Sequence, residues 1–152
     1  MTENANNSVI ELLSFKVGEH EFAVDIMSVR EIRGWTRATP LPHSPHYVRG
    51  VINLRGTVLP IIDLAARIGE PITEIATRSV FIVVQFENDI VGLLVDAVSD
   101  IISVNTDELQ TPPDLNTDGT HTFVSALTIV DERMLRVLDL RAILIIAPLE
   151  AA

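Results

Sequence analysis

The chain has no cysteine. That absence removes disulfides, thiolate metal sites and a thiol nucleophile together, and it fits a reducing compartment. No apolar run approaches the roughly 20 residues that a membrane-spanning helix needs. Even the stretch 142–149 is short and carries Pro148. The first residues, Met1 to Ser8, are polar and lack the basic-then-apolar order of a secretory signal, which predicts a short disordered tail over 1–10 and a cytoplasmic home. Basic residues are scarce: 11 Lys and Arg face 21 Asp and Glu, for a net charge of -10. That balance opposes general binding to nucleic acid or anionic lipid. Also missing are the G-x-S-x-G elbow of a serine hydrolase, the G-x-x-x-x-G-K phosphate loop and the G-x-G-x-x-G dinucleotide fingerprint.

What is present is short β structure, repeated. At 152 residues and 47% hydrophobic, the chain is long enough to bury about two-thirds of its unfolded surface. Its Val, Ile, Leu and Phe come in short runs broken by turn residues, which predicts a mainly β fold. Two hairpins are expected, 13–17 with 21–25 around Gly18-Glu19-His20, and 80–86 with 90–96 around Glu87-Asn88-Asp89. The run Val24 to Ile32 aligns, with one slip, to Val95 to Ile101, and Val58 to Leu64 is echoed by Met134 to Leu140. The offsets, about 69 to 77 residues, are close to half the chain and indicate a duplicated β unit. The expected outcome is two lobes, about 11–75 and 76–148, each closed as a small barrel to hide its edges, with a crevice between them. Each lobe ends in a short helix capped by an aspartate, Asp63 and Asp139, and the repeat predicts equal roles for the two. The proline-containing segment 34–47 should be an ordered loop, and 111–122 a longer one.

The two aspartates raise the possibility of a shared-proton carboxylate pair, but neither Asp25-Ile26-Met27 nor Asp96-Ala97-Val98 has the Asp-Thr/Ser-Gly turn of such sites. His43 and His46 share one loop with Pro45 between them and no third ligand of suitable spacing, so they read as solvated histidines and not a zinc site. No catalytic residue, metal or cofactor is expected.

Recognition features stand out instead. Between Arg30 and Arg55 lie five arginines and one acid, Glu31; between Glu87 and Glu132 lie ten acids and no Lys or Arg. One reading is acids gathered for solubility, the other a partner drawn to the basic segment. In 50–64 two apolar strands meet at Arg55-Gly56, whose guanidinium can serve its own loop or hold an oxygen of another chain. Glu31 can pair with Arg33 or Arg49, and strand alternation puts it on the same face as Val29, which is either core or groove wall. Trp35 either covers a barrel end or forms a binding hot spot, and Leu41 either plugs its lobe or anchors a partner.

Taken in order, Val29-x-Glu31-Ile32-Arg33-Gly34, Gly50-Val51-Ile52-Asn53-Leu54-Arg55-Gly56, Pro60-Ile61-Ile62-Asp63-Leu64 and Val95 to Asp100 resemble the CheW-like domains of bacterial chemotaxis proteins. The resemblance covers roughly residues 12–144. It implies a single domain over 11–148 made of two intertwined lobes, SH3-like five-stranded β-barrel subdomains around a groove, with short helices and no enzymatic activity. It also implies an adaptor that couples the cytoplasmic tips of methyl-accepting receptors to the regulatory domain of the histidine kinase CheA, with ring contacts among adaptor and kinase subunits. The positions it matches to the receptor groove are Val29, Glu31, Arg49, Gly50, Arg55, Gly56, Gly92 and Ile101. Thr39, Leu41 and Pro42 are its candidates for the kinase contact. The alternative is a small-molecule sensor that uses the inter-lobe groove as a pocket.

Overall fold

The computed structural model describes residues 8–71, 73–112 and 123–144. Ten strands form among the described residues: β1 (Val9–Val17), β2 (His20–Asp25), β3 (Val29–Gly34), β4 (Val48–Leu54), β5 (Thr57–Asp63), β6 (Val80–Phe86), β7 (Asp89–Val95), β8 (Ala97–Asn105), β9 (Val124–Val130) and β10 (Arg133–Leu138). Two short helices follow β5 and β10, α1 (Leu64–Arg67) and α2 (Leu140–Leu144). The expected tail over 1–10 is too long, because Val9 and Ile10 pair with Asn105 and Val104 of β8. Residues 1–7, and most of the expected loop 111–122, lie outside the described residues.

The strands form two five-stranded sheets, in the order β8-β1-β2-β10-β9 (lobe one) and β3-β6-β7-β5-β4 (lobe two). The duplication is therefore real in topology, since β1 to β5 occupy the same places as β6 to β10. Division into contiguous lobes at residue 75 is not what forms. Each repeat gives its first hairpin to the other repeat's sheet, and the chain crosses over after Asp25 and after Val95. The crossing has a geometric cause. β2 is bonded on both sides, by β1 and β10, and β7 by β6 and β5, so β3 cannot fold back on β2 nor β8 on β7, and they pair with β6 and β1 instead.

The exchange also explains why the hairpins read as unbroken apolar runs. Along β1, Leu12 enters a cluster inside lobe one with Ala23, Val104 and Val137, whereas Leu13 enters the largest cluster, built from both sheets. Along β6, Phe81 packs inside lobe two with Leu59, Ile61 and Leu94, while Ile82 points to the same shared core. Successive residues face opposite sides of a strand, and here both sides are dry. Most of the expected crevice is thus filled with side chains. What remains is an open depression of about 580 Å³ between the β1–β2 turn (Gly18, His20) and the segment after α1 (Thr73, Ser79), lined by none of the expected site residues.

Each lobe is drawn round toward closure by one isolated bridge from the segment after its edge strand to its far edge strand. Thr39 pairs with Val51 in lobe two and Gln110 with Leu127 in lobe one. Register shifts also come in matched pairs, at Arg30 and Arg49 in lobe two and at Ser99 and Ser125 in lobe one.

Candidate functional site

The turn between β4 and β5 has two residues, Arg55 and Gly56, with φ of 50° and 88°. Both are left-handed, as a two-residue hairpin turn of type I′ requires, and only the second is a glycine. Asn53 shapes the turn, its Oδ1 accepting from the Gly56 amide at 2.8 Å. The guanidinium of Arg55 then reaches across the lobe to β3, where Nη2 donates to Glu31 Oε1 at 2.6 Å. Arg33 Nη1 donates to the other oxygen, Oε2, at 3.3 Å. One carboxylate is thus held between two arginines, across edges β3 and β4 that share no ladder. The hydrogen bond from Arg55 is the main reason that the Glu31 carboxyl lies below its ordinary pKa, with Arg33 adding to it; Arg55 is raised in turn by Glu31. Arg55 keeps 67% of its side-chain surface in water, so a good part of the fork remains open.

Glu31 does pair with Arg33, as expected, and not with Arg49. The expectation that Val29 and Glu31 share a face fails because of the bulge at Arg30. Val29 stands opposite Val84 and Glu31 opposite Val83, and those two neighbours point to opposite sides of the sheet. Val29 consequently packs, half-buried, against the core shared by the lobes.

Arg49 is committed elsewhere. It is the bulged residue of β4, and a bulge re-aims a side chain. Its Nε and Nη2 each lie 3.1 Å from Asp63 Oδ2, and Nη2 also donates to the Thr73 carbonyl at 2.5 Å. Asp63 is 1% exposed and is more than a cap: besides the Ala66 amide (3.3 Å) it accepts from the Thr73 amide (3.0 Å) and the Thr73 hydroxyl (2.8 Å). Asp139 makes the corresponding cap to the Ala142 amide at 3.3 Å, without an arginine.

The glycines divide by what surrounds them. A side chain on Gly50, which has φ of 140°, would meet the Thr39 carbonyl oxygen at 2.2 Å; one on Gly92 would meet Ile61 Cδ1 at 2.7 Å. Both glycines are buried, so they shape the lobe and offer no surface, whereas Gly56 is open. Ile101 is 58% exposed on edge strand β8, and Thr39, Leu41 and Pro42 lie on the loop before β4, where Leu41 and Pro42 are exposed. Thr39 is fixed to Val51 by amide–carbonyl bonds of 2.8 and 2.9 Å, which ties the kinase candidate to the strand next to the receptor candidate. His43 and His46 also lie on this loop, the latter with its ring edge against Tyr47. Of the five arginines between 30 and 55, Arg33, Arg49 and Arg55 have carboxylate partners within the chain, and Arg30 bonds to Gln85. The basic segment is therefore less free than its sequence suggests. Sequence reading missed Met27, 87% exposed on the Ile26–Ser28 turn, and Thr73, whose role depends on folding.

The CheW-like domain family matches residues 11–146. A probable chemotaxis protein CheW of Rhizobium etli is 49% identical over 150 residues, covering 99% of this chain and 97% of that protein. The chemotaxis protein CheW of Bacillus subtilis is 31% identical over 134 residues, 88% and 86% of the two chains. The crystal structure of the scaffolding protein TtCheW from Thermoanaerobacter tengcongensis superposes with a TM-score of 0.80 at 30% identity, over 88% of this chain and 86% of that one. With the two exchanged five-stranded sheets, these matches show that the chain belongs to the CheW-like domain family of chemotaxis proteins.

Proposed function

We propose that the protein is a non-catalytic adaptor that couples methyl-accepting chemotaxis receptors to the histidine kinase CheA at cytoplasmic receptor arrays. The observation that carries this reading is the Glu31–Arg55 cluster, a charged, partly open tip on a chain otherwise dominated by acids, in a family of chemotaxis scaffolds. Exposed Arg55, Gly56 and Ile101 are the direct receptor contacts in this proposal, and the exposed apolar Met27 and Ile32 flank Val29 and Glu31 in sequence. Glu31 orients Arg55, and Val29, Arg49, Gly50 and Gly92 hold the surrounding scaffold. The loop carrying Thr39, Leu41 and Pro42 meets the kinase regulatory domain.

The test is Arg55→Glu, which sets a second carboxylate against Glu31 and reverses the charge offered to the partner. Binding to a purified receptor tip should weaken roughly tenfold or more, with the circular dichroism spectrum unchanged. Normal binding by a folded Arg55→Glu protein would remove this tip from the site. If the remaining cationic surface steers encounter, raising salt from about 0.05 to 0.5 M should slow association more than dissociation.

A further inference from the structure

The mouth of lobe two holds a cavity of about 340 Å³, lined by Trp35, Arg37, Ala38, Pro40 and Arg49 and backed by the core side chains Ile61, Phe81 and Leu94. From this we infer a binding site for a small amphiphilic anion, an aromatic or branched apolar body carrying one carboxylate, free in solution. The site is independent of the adaptor reading and separate from the depression between the lobes.

Four observations carry it. The volume is that of a small-molecule pocket, which is typically a concave apolar site with a few convergent polar groups. Trp35 is one of the lining residues, and its backbone is tied by its amide, which donates to the Ser79 carbonyl at 3.3 Å. Two arginines, Arg37 and Arg49, are among the lining residues. Arg49 is fixed by Asp63 and Thr73, whereas Arg37 makes no hydrogen bond or ion pair among the described residues and is exposed. A fixed arginine beside a free one suits a carboxylate, because the free fork can close on it in two-point fashion.

The fourth observation is an internal control. A cavity of about 310 Å³ overlaps the corresponding place in lobe one, lined by Leu12, Leu109, Ser125 and Val137 with Asp25 and Asp139, and also by Phe86 from β6 of lobe two. There the bulged arginine is replaced by Ser125 and the charged groups are carboxylates, so the same recess would repel the ligand that lobe two attracts.

Trp35 is the sole tryptophan, so its fluorescence reports on this cavity alone. Phenylacetate serves as the probe, with phenylacetamide as the neutral isostere and acetate as the anion without a ring. Phenylacetate should change Trp35 emission saturably at millimolar concentration, and both controls should need roughly tenfold more. Arg37→Ala, at a side chain that supports nothing else, should weaken phenylacetate about tenfold and leave phenylacetamide unchanged. Equal binding of phenylacetate and phenylacetamide, no saturable change up to about 10 mM, or an Arg37→Ala protein that binds phenylacetate normally would each overturn the inference.

Discussion

The two lobes have one architecture and opposite chemistry at matched positions. Where lobe two has Arg49 at the β4 bulge, lobe one has Ser125, whose hydroxyl only reaches the Val137 carbonyl at 3.3 Å. Where lobe two turns through Arg55-Gly56, lobe one turns through Asp131-Glu132, with φ of 51° and 65°. Where β3 places Glu31 after its bulge, β8 places Asp100. Lobe two is therefore cross-linked by charge at two places, Glu31 with Arg55 and Asp63 with Arg49, and the corresponding residues of lobe one are acids or a serine. A duplicated scaffold keeps its backbone logic in both copies, while charge is free to diverge. That divergence gives lobe two the charged part of the proposed receptor surface, to which lobe one adds the apolar Ile101 on β8.

The sharpest way to break this comparison is to remove the two capping aspartates. Asp63→Ala leaves Arg49 without its carboxylate and deprives Thr73 of its acceptor, and breaking such a buried pair costs about 3 kcal/mol, the low end of the usual range because Arg49 is partly solvated. Asp139→Ala loses a cap alone, about 1 kcal/mol. Urea melts of both proteins would measure the gap, and equal shifts would mean that the Arg49 contact contributes nothing.

Next come the buried glycines. Gly50→Ala drives a methyl into the Thr39 carbonyl at a left-handed φ and should cost at least about 2 to 3 kcal/mol while opening the Thr39–Val51 bridge. Gly92→Ala meets only the movable end of Ile61 and should cost about 1 kcal/mol, since lobe one accommodates Ala23 near the matching position, opposite Val137. Amide exchange at Val51 would separate the two, with faster exchange expected for Gly50→Ala only.

The charge cluster gives a pH signature. Because Glu31 is lowered in the folded protein, its contribution is complete above the ordinary carboxyl range and fades as the pH falls through its own lower value. Carbon-detected titration of Glu31 should show this, and Arg55→Ala should move the midpoint upward. A midpoint already at the ordinary value would dissolve the cluster as an organising feature.

The smallest effect is expected at the other turn. Glu132→Gly supplies in lobe one the residue that lobe two uses, relieving a left-handed non-glycine at some cost in chain entropy, for a net gain below about 1 kcal/mol. Thermal melts would detect it, and destabilisation would show that the Glu132 side chain holds the turn.

Residue types and spacing were sufficient to specify the β class, the paired hairpins, the twofold repeat, the two capping aspartates and the Arg55-Gly56 turn, because each depends on local backbone preference or on periodicity over a few residues. The family resemblance was legible for the same reason, through short motifs in a fixed order. The resemblance implied intertwined lobes, but which hairpin each repeat gives to the other sheet was not legible, because strand pairing is decided by which edges remain open once distant strands have met. Nor did alternation place Glu31 correctly relative to Val29, since a single extra residue in a ladder reverses the facing of every later residue in that strand. Which carboxylate each arginine takes, and which glycines are walls and which are surface, were likewise settled only when segments far apart in sequence came within a few ångströms.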